Sequence, residues 1–238
     1  MGRVLTKCVD LLYPRRCPAC HDAVRPFGAV ICADCAGRFS YIAGKTCAKC
    51  GKVLADPLQT LCEGCRRSDN GLAGGVALFH YDDTARASMG KFKYEGRREY
   101  ADFYVRELCA RYGKKLRDWR PQCIVPVPVH RSRLRERGYN QAEELAGRLG
   151  TALEIPVDET LLLREKKTAA QKELGAEERA ENLKNAFRVN ERPAGLERVL
   201  LVDDIYTTGQ TMRECTAALK RAGIRQVYGC VVCISEDY

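Results

Sequence analysis

The stretch VLLVDDIYTTGQT, Val199 to Thr211, decides how this chain is read. Val199–Val202 are four apolar residues with the character of a short buried strand. Two adjacent acids, Asp203 and Asp204, stand at its carboxyl end. A turn of Tyr206, Thr207, Thr208, Gly209 and Gln210 follows. From Gln210 to Ala222 the spacing is helical, with Met212, Cys215, Leu219 and Ala222 on one face and Gly223 as the stop. Ligands of open α/β sheets bind at such strand ends. Free N–H groups and the dipole at the helix N-terminus favour an anion there, above all a phosphate. Thr207, Thr208 and Thr211 add hydroxyl donors, and Gly209 lets the backbone curl closely around the anion. The two acids would repel a phosphate, so they must face another part of the same ligand. Carboxylates accept hydrogen bonds, and neighbouring sugar hydroxyls donate them. A sugar phosphate satisfies both halves. A metal-binding acid pair fits less well, because adjacent strand residues point in opposite directions.

Outward from this stretch, strands and helices alternate. VALFHY and QCIVPVPV read as strands before it, and VYGCVVCI as one after it. YADFYVRELCARY and NQAEELAGRLG carry apolar residues three and four apart, as amphipathic helices do. Continuous apolar strands between such helices predict an α/β domain with a mainly parallel sheet covered on both faces. A polar, glycine-rich junction, Arg66 to Gly75, precedes it, so the expected division is 1–70 and 71–238.

The first of these segments is organised by cysteine. Eight of fourteen cysteines form four Cys-x-x-Cys pairs: Cys17/Cys20, Cys32/Cys35, Cys47/Cys50 and Cys62/Cys65. The last two pairs repeat the first two with an offset of thirty residues. Thiolates two residues apart on a tight turn both reach one ion, and two such turns complete a tetrahedron. The segment therefore reads as two zinc ribbons in tandem. Sequential pairing keeps each repeat self-contained; a cross-braced arrangement remains open. With four thiolate ligands no position stays free for water, so the zinc is structural. Chelation is expected to unfold residues 17–65 and to spare the rest. A disulfide framework is disfavoured because no apolar stretch resembles a signal peptide. The remaining cysteines, Cys8, Cys109, Cys215, Cys230 and Cys233 among them, read as small buried hydrophobes; Cys230 and Cys233 lie three apart on one strand and cannot clasp an ion.

The formal charge of +9 suggests anionic partners, although eight thiolates with two zinc ions lower it by four, to +5. No apolar run reaches membrane-spanning length, so a cytoplasmic protein with no membrane insertion is expected. Arg131, Arg133, Arg135 and Arg137 follow the strand QCIVPVPV on what reads as a loop lining the ligand crevice. Guanidinium forks there suit a pyrophosphate. The charged segment from Arg164 to Asn185, flanked by LLL and AFRV, suits either a hood that closes over the site or an exposed charged helix.

VLLVDDIYTTGQT resembles the phosphoribosyl-pyrophosphate motif of type I phosphoribosyltransferases. VPVPVHRSRLRERGYNQAEELA, with Arg137-Gly138-Tyr139-Asn140-Gln141 at its heart, is similar to the hallmark of ComF-type proteins. So are KFKYEGRRE and the spacing of Arg164, Thr168, Gln171, Arg179, Asn182 and Phe187. The double zinc ribbon completes that architecture, and the resemblance covers essentially the whole chain. It implies a type I phosphoribosyltransferase-like sheet with flanking helices and a hood. It assigns Asp203 and Asp204 to ribose, and Tyr206 through Thr211 to the 5′-phosphate. Asn140 and Gln141 join the arginines as pyrophosphate candidates. It also implies phosphoribosyl pyrophosphate with Mg2+ as ligand, bound either by a transferase or by a non-catalytic protein that senses the nucleotide or binds single-stranded DNA; no acceptor pocket is legible in the sequence. ComF relatives are associated with DNA uptake, which brings in single-stranded DNA and a helicase-like partner. The ribbon residues Arg15, Arg16, Arg25, Arg38, Lys45, Lys49, Lys52, Arg66 and Arg67 offer a basic surface for DNA, with Phe27, Phe39 and Tyr41 as sparse stacking residues.

Overall fold

A computed structural model describes residues 14–164 and 186–235. The core is a four-stranded sheet. Its strands are β1 (Gly74–His80), β2 (Cys123–Pro126), β5 (Arg198–Tyr206) and β6 (Gln226–Ile234). They are all parallel and lie in the order β1-β6-β5-β2. The expected mainly parallel sheet is therefore present. LLL and AFRV flank the proposed hood as a separate antiparallel pair, β3 (Leu162–Arg164) with β4 (Phe187–Val189).

Alternation along the strands sends apolar side chains to both faces. Val76, Leu78, Ile124, Leu200 and Val202 join one core; Ala77, Val125, Val199 and Leu201 join the other. The first core is closed by α2 (Asp83–Tyr94), α3 (Tyr100–Asp118) and α5 (Gln141–Leu153). The second is closed by α6 (Gln210–Arg221) and the β3–β4 pair. Helix α2 was not anticipated, although Asp82 caps it by accepting from Ala85 N at 2.9 Å. It buries Ala85, Met89 and Phe92.

Each zinc ribbon lies on a different face. The first buries Phe39 against Phe79 of β1 and Phe103 of α3, with ring centroids 4.7 and 5.1 Å apart. The second, which includes the short helix α1 (Glu63–Arg67), lays its knuckle backbone against β1. Gly75 N donates to Ala48 O at 3.1 Å. Gly51 takes φ +82°, and a Cβ there would sit 2.7 Å from Ala77 N. At the matching position of the first repeat the residue is His21, also at positive φ, 67°. The glycine is thus required by the backbone contact as well as by the turn. Gly51→Ala is expected to destabilise by about 2–4 kcal/mol in urea unfolding, from left-handed strain plus overpacking. Gly44→Ala, at φ +80° with nothing within 4 Å, is expected to cost only about 1–2 kcal/mol from the strain alone.

Candidate functional site

The crevice exists because β2 stops early. Pro126 pairs with Val202, Val127 N donates to Val202 O at 2.9 Å, and Pro128 then turns the chain away. Strand β5 continues beside β6 alone, with Asp203 opposite Val231 and Tyr206 opposite Ile234. The strand is therefore longer than Val199–Val202, and both acids lie within it. Their other edge faces a cavity of about 360 Å3. Asp203, Asp204, Thr207, Thr211, Arg133, Arg137, Asn140, Gln141 and Arg164 all line it. Lys93 and Tyr81 line it too, and sequence reasoning missed both. The signal for Lys93 was its place on α2, in the KFKYEGRRE segment.

The arginine segment is corrected by the structure. Arg131–Arg137 is a short helix, α4, and not a loop; His130 Nδ1 accepts from Ser132 N at its start. Helical spacing places Arg133 and Arg137, four apart, on one face. Those two line the cavity, and Arg131 and Arg135 do not. The next residues lock this helix in place. Gly138 ends it at φ +76°, and buried Tyr139 donates to the Phe92 carbonyl. Asn140 caps α5 and holds Val127 O at 3.1 Å.

Arg137 Nη1 donates to Gln141 Oε1 at 3.0 Å, which turns the Gln141 amide so that its oxygen is already used. Arg137 Nε and Gln141 Nε2 are buried donors with no hydrogen-bond partner among the described residues. Donors left in this way fit an anionic oxygen. At the other end, Lys93 Nζ lies 2.9 Å from Asp204 Oδ2 with both side chains mostly buried. Asp203 Oδ1 accepts from Asp204 N at 2.8 Å. Burial, and then the neighbouring Asp204 charge, push the Asp203 carboxyl up to about 7. Burial, and then the nearby Arg133 charge, push Arg164 down.

The Asp203 shift has a sign that can be tested. A folded-state pKa above the unfolded one favours folding below pH 4, and that contribution is lost as pH rises towards 7. Asp203→Asn keeps the oxygen that accepts from Asp204 N. Ligand-free variant and wild type are expected to be equally stable near pH 4. At pH 8 the variant is expected to be more stable by about 1–2 kcal/mol, once the partial exposure of Asp203 is allowed for.

The loop after β5 sits on Tyr206. Gly209, at φ +76°, caps α6, and a Cβ on it would overlap Tyr206 Oη and Cζ. Thr207, Thr211 and Gly209 line a small recess with Asp203. Tyr206, Thr208, Gly209 and Gln210 face a second cavity, towards the second ribbon. Thr168, Gln171, Arg179 and Asn182 of the proposed hood lie outside the described residues.

Both sets of zinc ligands come together in sequential order. Cys17, Cys20, Cys32 and Cys35 form one set, and Cys47, Cys50, Cys62 and Cys65 the other. Within each set the sulfurs lie within 4.8 Å of one another. Tetrahedral zinc–thiolate bonds of ~2.3 Å need sulfurs about 3.8 Å apart, so the donor sets fit zinc. All eight cysteines are free of disulfides. The stacking residues named for DNA are mostly withdrawn. Phe39 is buried, and Tyr41 donates to Glu107 beneath Arg111, which leaves Phe27 exposed. Arg15, Lys49 and Arg67 are paired with Asp102, Asp69 and Glu63. Among the described residues no helix is long and apolar enough to cross a membrane.

Known proteins share this combination. Residues 8–66 match the double zinc ribbon domain, and residues 136–237 match the phosphoribosyl transferase domain. Fold and site thus define a phosphoribosyltransferase-type α/β domain joined to a double zinc ribbon. Competence protein F of Haemophilus influenzae is 31% identical over 89% of this chain and 93% of its own. DNA utilization protein YhgH of Salmonella typhimurium is 32% identical over 79% and 83%. Competence protein ComFC of Streptococcus pneumoniae is 28% identical over 83% and 84%. The chain belongs to this ComF family.

Proposed function

We propose that the crevice binds phosphoribosyl pyrophosphate with Mg2+. Asp203 and Asp204 accept hydrogen bonds from the ribose hydroxyls. Thr207, Thr208, Gly209, Gln210 and Thr211 hold the 5′-phosphate, with Tyr206 beneath them. Arg133, Arg137 and Gln141 take the pyrophosphate end, Asn140 supports them, and Arg164 approaches from the β3–β4 pair. Mg2+ would be held chiefly by pyrophosphate oxygens, as is usual for this ion. One observation carries the reading: both acids, Thr207, Gly209, Thr211, Arg133 and Arg137 line adjoining recesses at the end of one strand.

Transfer of the phosphoribosyl group to an acceptor follows as the finer proposal. The basic end of the site would stabilise the departing pyrophosphate. The ribbon and transferase parts are taken to divide at residue 70. The names of the relatives support a role in the uptake or use of DNA, with single-stranded DNA or a helicase-like protein as partner.

Calorimetry with phosphoribosyl pyrophosphate and Mg2+ tests the central claim. Saturable heat at one site per chain is expected. No heat from a folded, zinc-loaded protein would remove the claim. Adding single-stranded DNA to the same titration separates the readings, because a strand bound at Asp203 would compete.

A further inference from the structure

The two ribbons are repeats in sequence, yet they meet the domain differently. The first zinc site stands beside α3, where His21 Nδ1 and Tyr100 Oη are 3.1 Å apart. The second stands behind the phosphate loop. Cys50, Cys62 and Cys65 line a cavity of about 90 Å3 together with Tyr206, Thr207 and Gly209. Asn70 bridges the two sides and is only 3% exposed. Its Nδ2 lies 3.5 Å from Cys65 Sγ and 3.4 Å from Tyr206 Oη. Its Oδ1 accepts from Leu72 N at 3.0 Å, which fixes the amide's orientation. Thirty residues earlier, the first repeat has Ser40, too short for such a bridge. A second tie lies alongside: Arg213 of α6 donates to Ser68 Oγ and to Gln210 Oε1.

We propose that the second zinc site sets the shape of the phosphate loop, with Asn70 as the positioning residue. Asn70 joins the zinc ligand Cys65 to Tyr206, and the Gly209 turn is folded over the Tyr206 ring. A zinc-bound thiolate is a fixed acceptor, so the Asn70 amide is held, and through it the phenol. The ring then fixes where the turn passes and hence where its N–H groups point. The first zinc site has no such path to the loop among the described residues. Zinc at the second site therefore governs phosphate affinity as well as folding. This rests on the reading of Thr207–Thr211 as a phosphate seat.

Two variants test the bridge in the full, zinc-loaded chain. Asn70→Ser keeps an oxygen for Leu72 N and loses the reach to Cys65 and Tyr206. Tyr206→Phe keeps the ring under Gly209 and loses the hydroxyl. Both are expected to retain two zinc ions per chain. Affinity for ribose 5-phosphate is expected to fall about fivefold, the effect of one net hydrogen bond. Affinity for magnesium pyrophosphate, held at the arginine end, is expected to stay within twofold of wild type. The Arg213 amide, bonded to Gly209 O at 2.9 Å, is expected to exchange its hydrogen faster in both variants. Equal loss of both ligands, or wild-type affinity for ribose 5-phosphate with wild-type exchange at Arg213, would overturn the proposal. If the wild-type protein binds neither ligand, the phosphate-seat reading fails, and the Arg213 exchange alone decides whether the bridge orders the loop.

Discussion

Removing zinc from both sites with a strong chelator is expected to unfold much more than residues 17–65. The ribbons looked separable when judged on their cysteine spacing. Packed in place, they form part of the cover of β1. Ile42 N donates to Leu78 O, and His80 N donates to Ser40 O, each at 2.9 Å. Phe39 completes a stack with Phe79 and Phe103 whose members are at most 3% exposed. Losing the first ribbon strips that stack, and losing the second bares Ala77 and the Gly75 backbone. Each structural zinc contributes ~10–16 kcal/mol to folding its unit, while a whole domain is stable by only ~5–15 kcal/mol. The balance therefore favours collapse of the sheet edge along with the ribbons. The chain's single tryptophan reports on this. Trp119 stacks on Tyr228 of β6 with ring centroids 4.6 Å apart, beside Gly74 of β1. Trp119 fluorescence and near-ultraviolet ellipticity are expected to change in step with release of two zinc ions per chain. An unchanged Trp119 signal after full release would show that the sheet stands without its ribbons.

What could be read from the sequence was set by local patterns. Val199–Thr211 declared a strand, a turn and a helix because each has its own short-range signature. The cysteine pairs declared two metal sites because spacing alone decides what reaches one ion. The arginine segment misled for a local reason too. After two prolines, four arginines at alternate positions resemble a solvated loop, and the cap that starts α4 is a histidine. Helix α2 was overlooked because its apolar face is thin: Ala85, Met89 and Phe92 over twelve residues. Other features are long-range and have no local trace. Gly51 and Gly75 look like ordinary turn glycines until the ribbon backbone meets β1. Lys93 becomes a site residue only when α2 brings it to Asp204, on a strand more than a hundred residues later. Asn70 sits in a polar junction and gains its role from Cys65 and Tyr206 together.

Neutralising both acids is expected to weaken phosphoribosyl pyrophosphate binding by roughly 30- to 150-fold. Hydrogen bonds to a charged group are each worth ~1.5–3 kcal/mol against ~0.5–1.5 kcal/mol for neutral ones, so two weakened together amount to about 2–3 kcal/mol. Asp203→Asn/Asp204→Asn keeps side-chain volume and one acceptor oxygen per residue, so the loss reflects charge and not shape. A compensating term exists and is smaller. Without the Asp204 charge, Lys93, now 2.9 Å from that carboxylate, is freed to attract the ligand's phosphates. Lys93→Ala in the double variant removes this compensation and is expected to weaken binding further. A ligand whose ribose hydroxyls are absent supplies the decisive comparison. If the acids hold those hydroxyls, wild type and double variant bind the deoxygenated analogue with affinities within about tenfold, since little is left for the carboxylates to accept. If the acids instead hold the metal, the double variant loses the analogue as severely as phosphoribosyl pyrophosphate. Titrating both ligands into both proteins, with Mg2+ fixed, separates a sugar clamp from a cation site at the same two aspartates.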